Sequence, residues 1–367
     1  MVGTRMRGRK QSVWRSSAAA VVVLLTSMFS RAAHAEVPLG DVIAFGAYAD
    51  GLPYDDGEFH ALESKLGATL DIASGFVDWD YVLGEERDRR LATEGDRVLL
   101  YSWEPHCDRK GHCISFRDVI DGRMDAYLER VAESMKRFPS DIYVRPWAEM
   151  NANWSPYQPG TKKRQAGSIE EFKAAWRHLY DFFRERGVDN LKFVFNPDVD
   201  GDARNVPFEQ LWPGKDPKDG HGYVDVLGLD GYNWGDSGRD DGEDWLEFEA
   251  LFAQGYRTLT SLDDRAPVWV CEFGSKEPEK NDGTRHSPAP PDSTHDKGVW
   301  IRNMLRSTAF PRLQALAYYS AYLPNHDNQR DFRFESSESS LSAVRTYLRS
   351  HPHRRPSTKH AAPRRRR

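Results

Sequence analysis

The 367-residue chain carries a formal charge of −5, but the charge is unevenly placed. Six positive charges fall in the first 35 residues and eight in the last nineteen, which leaves the 36–348 core near −19. Such a core excludes nucleic acid as its main partner, and no segment after the first 35 residues is apolar enough to cross a membrane.

Arg5, Arg7, Arg9, Lys10 and Arg15 form a basic n-region ahead of the apolar run Ala18 to Met28. Ala33-His34-Ala35 then fits a small-x-small cleavage site, so residues 1–35 read as a signal peptide and the mature chain as exported, periplasmic or secreted. An uncleaved anchor is the alternative. The 349–367 tail is rich in Arg, Pro and His without periodicity and reads as a disordered, solvated end. Its sharper alternative is a tether to anionic polysaccharide or a membrane surface.

Between these ends, short β-type runs alternate with amphipathic helical stretches. The strand candidates are 43–50, 70–79, 98–105, 142–149, 191–197, 224–232, 267–273 and 316–321. Helices are expected over 56–66, 126–137, 245–262, 297–306 and 341–349, and the clearest one follows the capping box Ser168-Ile169-Glu170-Glu171. Ile169, Phe172, Trp176, Leu179 and Phe183 share one face of it, and Gly187 closes it. Eight strands with helices between them predict a single (β/α)8 TIM barrel. A doubly wound open sheet is the runner-up, although no phosphate-cradling glycine motif follows the first strand. No internal repeat and no Ser/Pro-rich linker divides the core.

Cys107 and Cys113 lie six apart in PHCDRKGHC and read as a small-loop disulfide. His106 and His112 leave a metal site as the alternative, though the spacing is not that of a known zinc module. Cys271, within an apolar strand, reads as a small buried hydrophobe.

In a (β/α)8 barrel the C-terminal strand ends converge on the face where active sites are built. This chain puts Tyr48 and Asp50 there from the first strand, Asp78 and Trp79 from the second, and Trp103 and Glu104 from the third. Glu149, Asn151 and Trp154 follow from the fourth, Asn196 and Asp198 from the fifth, and Asp230, Tyr232, Asn233 and Trp234 from the sixth. Glu272 comes from the seventh, and Tyr318, Tyr319 and Tyr322 from the eighth. Carboxylates, amides and flat aromatic rings without a His cluster suit a carbohydrate cleft, with no cofactor and no metal. Trp103, Asn151, Asn196, Trp234, Tyr319 and Arg145 are the candidate substrate contacts beside Trp154 and Tyr232. Several of these aromatics could instead be barrel-top packing.

Glycoside hydrolysis needs two carboxyl groups, and Glu149 and Glu272 come from strands that face each other across a barrel mouth. Trp147 and Trp154 would shield Glu149 and raise its pKa, as a general acid requires. The plainer alternative is a strand-end Glu paired with Arg145. Glu104, Asp198 and Asp230 compete on residue type.

The stretches RPWAEMNANW, FNPD, WPGKDPKDGHGYVDVLGLDGYNWG, VWVCEFGS and DFRFESSESSLSAVRTYL resemble glycoside hydrolase family 26, in order and across nearly all of 43–348. The resemblance implies a retaining (β/α)8 enzyme, with endo-β-1,4-mannanases, mixed-linkage β-glucanases and β-1,3-xylanases as its relatives. It implies Glu149 as acid/base, Glu272 as nucleophile, Trp154 as a sugar-stacking residue and Tyr232 as the donor to the nucleophile. Two positions depart from the family pattern. Ala148 stands where a His precedes the acid/base, and Tyr318 or Tyr319 stands where a strand-eight Trp is expected. The expectation is an exported, monomeric endo-β-glycanase acting on a β-mannan or related β-glycan. A β-glucanase, a β-1,3-xylanase, an exopolysaccharide-processing hydrolase and a sugar-binding pseudoenzyme are the alternatives.

Overall fold

A computed structural model describes residues 43–105, 114–160, 166–199, 203–218, 220–234, 245–277, 295–323, 330–351, 353 and 356. The leader at 1–35 and the Cys107–Cys113 pair lie outside the described residues. Eight parallel strands close into a barrel in chain order. They are β1 (Ala44–Tyr48), β2 (Ile72–Asp78), β3 (Val98–Glu104), β4 (Ile142–Pro146), β5 (Leu191–Phe195), β6 (Val226–Asn233), β7 (Val268–Ser275) and β8 (Leu313–Tyr319). β8 pairs back onto β1 from Ala44–Ala315 to Tyr48–Tyr319, so no edge is left open.

Parallel neighbours need a crossover, and helices supply most of them. They are α1 (Gly57–Leu66), α2 (Glu86–Glu94), α3 (Phe116–Ile120), α4 (Asp125–Met135), α5 (Ile169–Glu185), α6 (Phe248–Leu262), α7 (Lys297–Arg306) and α8 (Glu338–Ser350). The expected capping box opens α5, where Ser168 accepts from the Glu171 amide and the Glu171 side chain accepts from the Ser168 amide. Gly187, at φ 72°, turns the chain away beyond its end. Between β5 and β6 the helical element among the described residues is a 3₁₀ turn, Phe208–Leu211.

The barrel is as expected, but several boundaries differ. β4 stops at Pro146, three residues short of the expected Glu149, because proline gives no N–H to the ladder and Trp147 and Glu149 take left-handed φ of 51° and 54°. β8 starts at Leu313, earlier than expected. The pattern gave no sign of α2, whose nine residues ERDRRLATE offer little apolar periodicity. Its inner face instead buries Asp88, which accepts from Tyr81, Tyr101 and the Gly84 amide. α8 runs to Ser350, so the helix takes in Arg349 and Ser350 from the segment read as tail. His353 follows it down to the barrel floor, with Nδ1 2.5 Å from Asp71 and Nε2 2.9 Å from the Asp96 carbonyl.

Side chains alternate along each strand between the bore and the helical layer. The lower bore is filled by Ile72, Val98, Leu100, Tyr143, Val194, Val226, Trp269, Cys271, Ala315 and Ala317, all buried and apolar or nearly so. Cys271 is a free, buried thiol within that cluster, as expected from its apolar strand. One step further along the same strands the bore becomes polar.

Candidate active site

The polar layer is centred on Arg145, which points inward from β4 two residues beyond Tyr143 and is fully buried. Its Nη1 donates to Asp230 Oδ2 at 2.8 Å, and its Nη2 donates to Ser102 Oγ at 2.5 Å and Glu272 Oε2 at 3.1 Å. Burial works against the guanidinium charge, but Asp230 and Glu272 outweigh it and hold Arg145 protonated. Arg145 is therefore the floor of the site and not a surface contact for substrate. The simple ion pair with Glu149 is not formed; its ionic partners are Asp230 and Glu272.

Glu272 reaches this layer through an irregularity. Leu229 pairs with Val270 but Asp230 pairs with Glu272, so β7 carries an extra residue at Cys271. Such a bulge re-aims the side chain that follows it. Cys271 belongs to the apolar bore, yet Glu272 still faces the mouth, where Tyr232 donates to its Oε1 at 2.5 Å. Burial, then the Glu272 charge, pushes the Tyr232 phenol far above its usual range and keeps it a donor. Both Glu272 oxygens are thus held as acceptors.

Glu149 comes from the turn beyond β4. Its amide donates to the Asn196 carbonyl at 2.9 Å, which anchors the left-handed turn to β5. Trp154 Nε1 donates to Glu149 Oε2 at 2.8 Å. Burial first and the nearby Glu272 charge second push the Glu149 carboxyl up to about 8, while the Trp154 bond and Arg145 pull the other way. One carboxyl is held as a hydrogen-bond acceptor and the other is poised to carry a proton. That division is the one expected of an acid and a nucleophile.

Trp154 is 44% exposed and presents a ring face at the mouth. On the opposite side Tyr319 stacks on Tyr48 with centroids 4.9 Å apart and planes at 8°, and meets Tyr232 edge-on at 5.9 Å. Trp234 leans on Tyr232 at 5.1 Å and on Phe332 at 5.4 Å. These rings form an aromatic wall. Of the two strand-eight tyrosines that could stand for the expected Trp, Tyr319 faces the mouth, whereas Tyr318 is buried behind β8 against Phe334 and Phe273.

Besides Arg145, three expected substrate contacts are displaced. Trp103 is fully buried, donates to the Tyr127 hydroxyl at 2.9 Å and packs on Phe183, because its strand position faces the helices. Asn151 is a clamp on the loop after β5, accepting from the Asp198 amide and donating to the Asp198 carbonyl, both at 2.9 Å. Asn196 is buried in the bore over Gly228. Tyr48 and Ser102 carry roles that were not assigned to them, and Phe76 meets Tyr48 and Tyr319 edge-on with centroids at 5.1 and 6.4 Å. The signal was present: counting back in twos from Asp78 and Glu104 gives Phe76 and Ser102 on the bore face.

A model of glycosyl hydrolase family 26 matches residues 115–256. Endoglucanase H of Acetivibrio thermocellus is 28% identical over 307 residues, 83% of this chain and 30% of that protein. A mannan endo-1,4-beta-mannosidase of Bacillus subtilis is 29% identical over 120 residues, 31% of either chain. The chain thus spans about a third of the length of the curated relatives it matches. Among solved structures, a GH26 beta-mannanase from Bacteroides ovatus shares the fold at TM-score 0.54 and 19% identity, over 85% of this chain and 89% of that one.

Proposed function

We propose, from the match of residues 115–256 to the glycosyl hydrolase family 26 model, that the chain is a member of that family and a retaining endo-β-glycanase that cleaves β-1,4-mannosidic bonds of a mannan-type polysaccharide. The observation that carries this reading is the asymmetric carboxyl pair at the barrel mouth. Glu149 has its carboxyl pushed up to about 8 and lies beside an exposed Trp154, while Glu272 has both oxygens held by Tyr232 and Arg145.

In the first step Glu272 attacks the anomeric carbon and the glycosidic bond breaks. Glu149 gives its proton to the departing oxygen. In the second step water attacks the glycosyl-enzyme, Glu149 takes the proton from that water, and Glu272 is released. Tyr232 and Arg145 keep Glu272 aimed throughout, and Trp154 and the Tyr48–Tyr319 wall offer ring faces to sugar C–H surfaces. The basic n-region and apolar run of residues 1–35 support an exported chain.

A mixed-linkage β-glucanase is the second reading. It is favoured by the longer match, which is to an endoglucanase, and by Ala148, which removes the side chain expected beside the acid/base. The deciding experiment incubates the purified full chain with β-mannan, lichenan, β-1,3-xylan and bacterial exopolysaccharides, and follows the anomer first released by NMR. Release of β-configured manno-oligosaccharides is expected. Turnover of lichenan alone would move the assignment to the second reading, and binding without turnover of any polymer would make the protein a sugar-binding pseudoenzyme.

A further inference from the structure

A third carboxyl faces the mouth from β3, and neither step above uses it. Along that strand Leu100 lies in the apolar bore and Trp103 lies against the helices, so Ser102 and Glu104 point inward. Ser102 confirms the direction by accepting from Arg145. Glu104 stands on the same face about 6.6 Å higher, two residues up the strand. Its register partner on β2 is Asp78, and Trp103 pairs with Pro146 at the point where β4 turns off to deliver Glu149.

Glu104 is half-buried, and among the described residues its carboxyl accepts no hydrogen bond and forms no ion pair. Its neighbours cannot supply one readily. The hydroxyl of Tyr157 is spent on the Pro105 carbonyl at 2.7 Å, and Arg145 already serves Asp230, Ser102 and Glu272. A carboxyl on the cleft face that the protein itself leaves without a partner is open to bond a ligand's hydroxyl. Burial, then the charges of Glu272 and Asp78 against the pull of Arg145, pushes this carboxyl up to about 7. Near neutral pH it can therefore either donate to or accept from a hydroxyl. Glu149 also feels its charge.

We propose that Glu104 is a specificity-determining residue, a ligand for a ring hydroxyl of the sugar in the cleft that decides which monosaccharide is accepted there. The proposal rests on the glycanase reading and adds to it a named discriminator. A site that hydrogen-bonds a substrate hydroxyl rejects sugars lacking it more strongly than any apolar wall can, because the carboxyl is then left unpaired.

The test compares Glu104→Gln and Glu104→Ala with wild type on mannohexaose, cellohexaose and xylohexaose. Mannose and glucose differ at one ring hydroxyl, and xylose lacks the hydroxymethyl group. For the preferred sugar Glu104→Ala should lower kcat/KM about 10- to 100-fold, while the poorer sugars change much less and the selectivity ratio collapses. Glu104→Gln keeps a donor and an acceptor and should retain most of the ratio. Equal losses on all three sugars, no loss on any, or azide rescue of Glu104→Ala on an aryl glycoside would overturn the proposal. If wild type turns over none of them, the β-1,4-mannan reading has failed by itself. Calorimetric binding of the three oligosaccharides to the same variants then decides the Glu104 assignment, on the same ratio.

Discussion

The lower and upper halves of the barrel bore are made by the same strands and have opposite chemistry. On β3, Leu100 gives way to Ser102 and Glu104; on β4, Tyr143 gives way to Arg145; on β6, Val226 gives way to Asp230 and Tyr232. Below, no polar side chain could be hydrated, so apolar packing fills the bore. Above, the bore opens to the mouth, and a charged layer is tolerable because opposite charges face one another across it. Arg145 is the seam. It is as buried as any residue of the lower bore, yet it is bound to Asp230, Ser102 and Glu272. The lesson is that this candidate catalytic layer is a polar core resting on an apolar one, and the two halves should fail in different ways.

The largest effect is expected from the two carboxyls at the top. Glu272→Ala should abolish turnover of every substrate, since the proposed nucleophile is gone. Glu149→Ala should depend on the leaving group, falling about 10²–10⁴-fold for a natural glycan, which needs a proton on the departing oxygen. An activated aryl glycoside needs none in its first step, so its glycosyl-enzyme should still form and added azide should speed its release. Equal slowing of both substrate types without azide rescue would remove Glu149 from the acid/base role and make Glu104 the next candidate.

Next in size is the seam itself. Arg145→Met leaves Asp230 buried without its cation, which costs about 3–5 kcal/mol of stability, and leaves Glu272 with Tyr232 alone. Adding Asp230→Asn removes the uncompensated charge and should restore much of the melting temperature. Turnover should not return, because Glu272 still lacks its second donor. A double variant that recovers activity along with stability would show that Arg145 serves the fold and not the nucleophile.

The barrel was legible in the sequence because eight apolar runs and their helices repeat the pattern of one architecture, and α5 announced both ends through its capping box and Gly187. The carboxyl pair was legible because each glutamate sits at the end of such a run. What could not be read was which side of a strand end a residue faces. Trp103 looked like a sugar platform and is packing for the helices, a matter of one residue in a period of two. Residue alternation would also have sent Glu272 away from Cys271's side; the β7 bulge that brings both to the bore is a backbone feature with no residue signature. Helix α2 was missed because its buried face has only Leu91 and Ala92 as apolar members and is completed by Asp88 with two tyrosine hydroxyls. Glu149 was placed on a strand, and the left-handed turn that carries it owes its shape to Pro146 and to the bond with the Asn196 carbonyl.

A smaller effect concerns pH. Glu149 must hold its proton to act as acid, and its carboxyl is pushed up to about 8, so kcat/KM should be full below that value and fall as pH rises through it. Trp154 donates to this carboxyl and so favours its ionised form. Trp154→Phe should therefore move the alkaline limb upward while lowering the plateau through lost stacking. A limb that moves down, or one centred near an ordinary carboxylate value, would show that another group sets the profile.

The smallest effect on turnover should come from the lower bore, where the same kind of damage ought to cost only stability. Leu100 is fully buried, two residues below Ser102 and one strand away from Arg145. Leu100→Ala removes most of its side chain from a close-packed bore and leaves a cavity that its neighbours cannot fill, which costs about 2–5 kcal/mol. None of the groups that hold Glu272 is touched, and Ser102 keeps its place through its own bond to Arg145. The melting temperature should therefore fall by several degrees, while kcat/KM per folded molecule at a temperature well below the transition stays within about twofold of wild type. The pH limb should not move either, because no charge near Glu149 has changed. A loss of turnover comparable to that of Arg145→Met would mean that the apolar layer positions the carboxyls directly, and the division of the bore into a structural half and a catalytic half would fall.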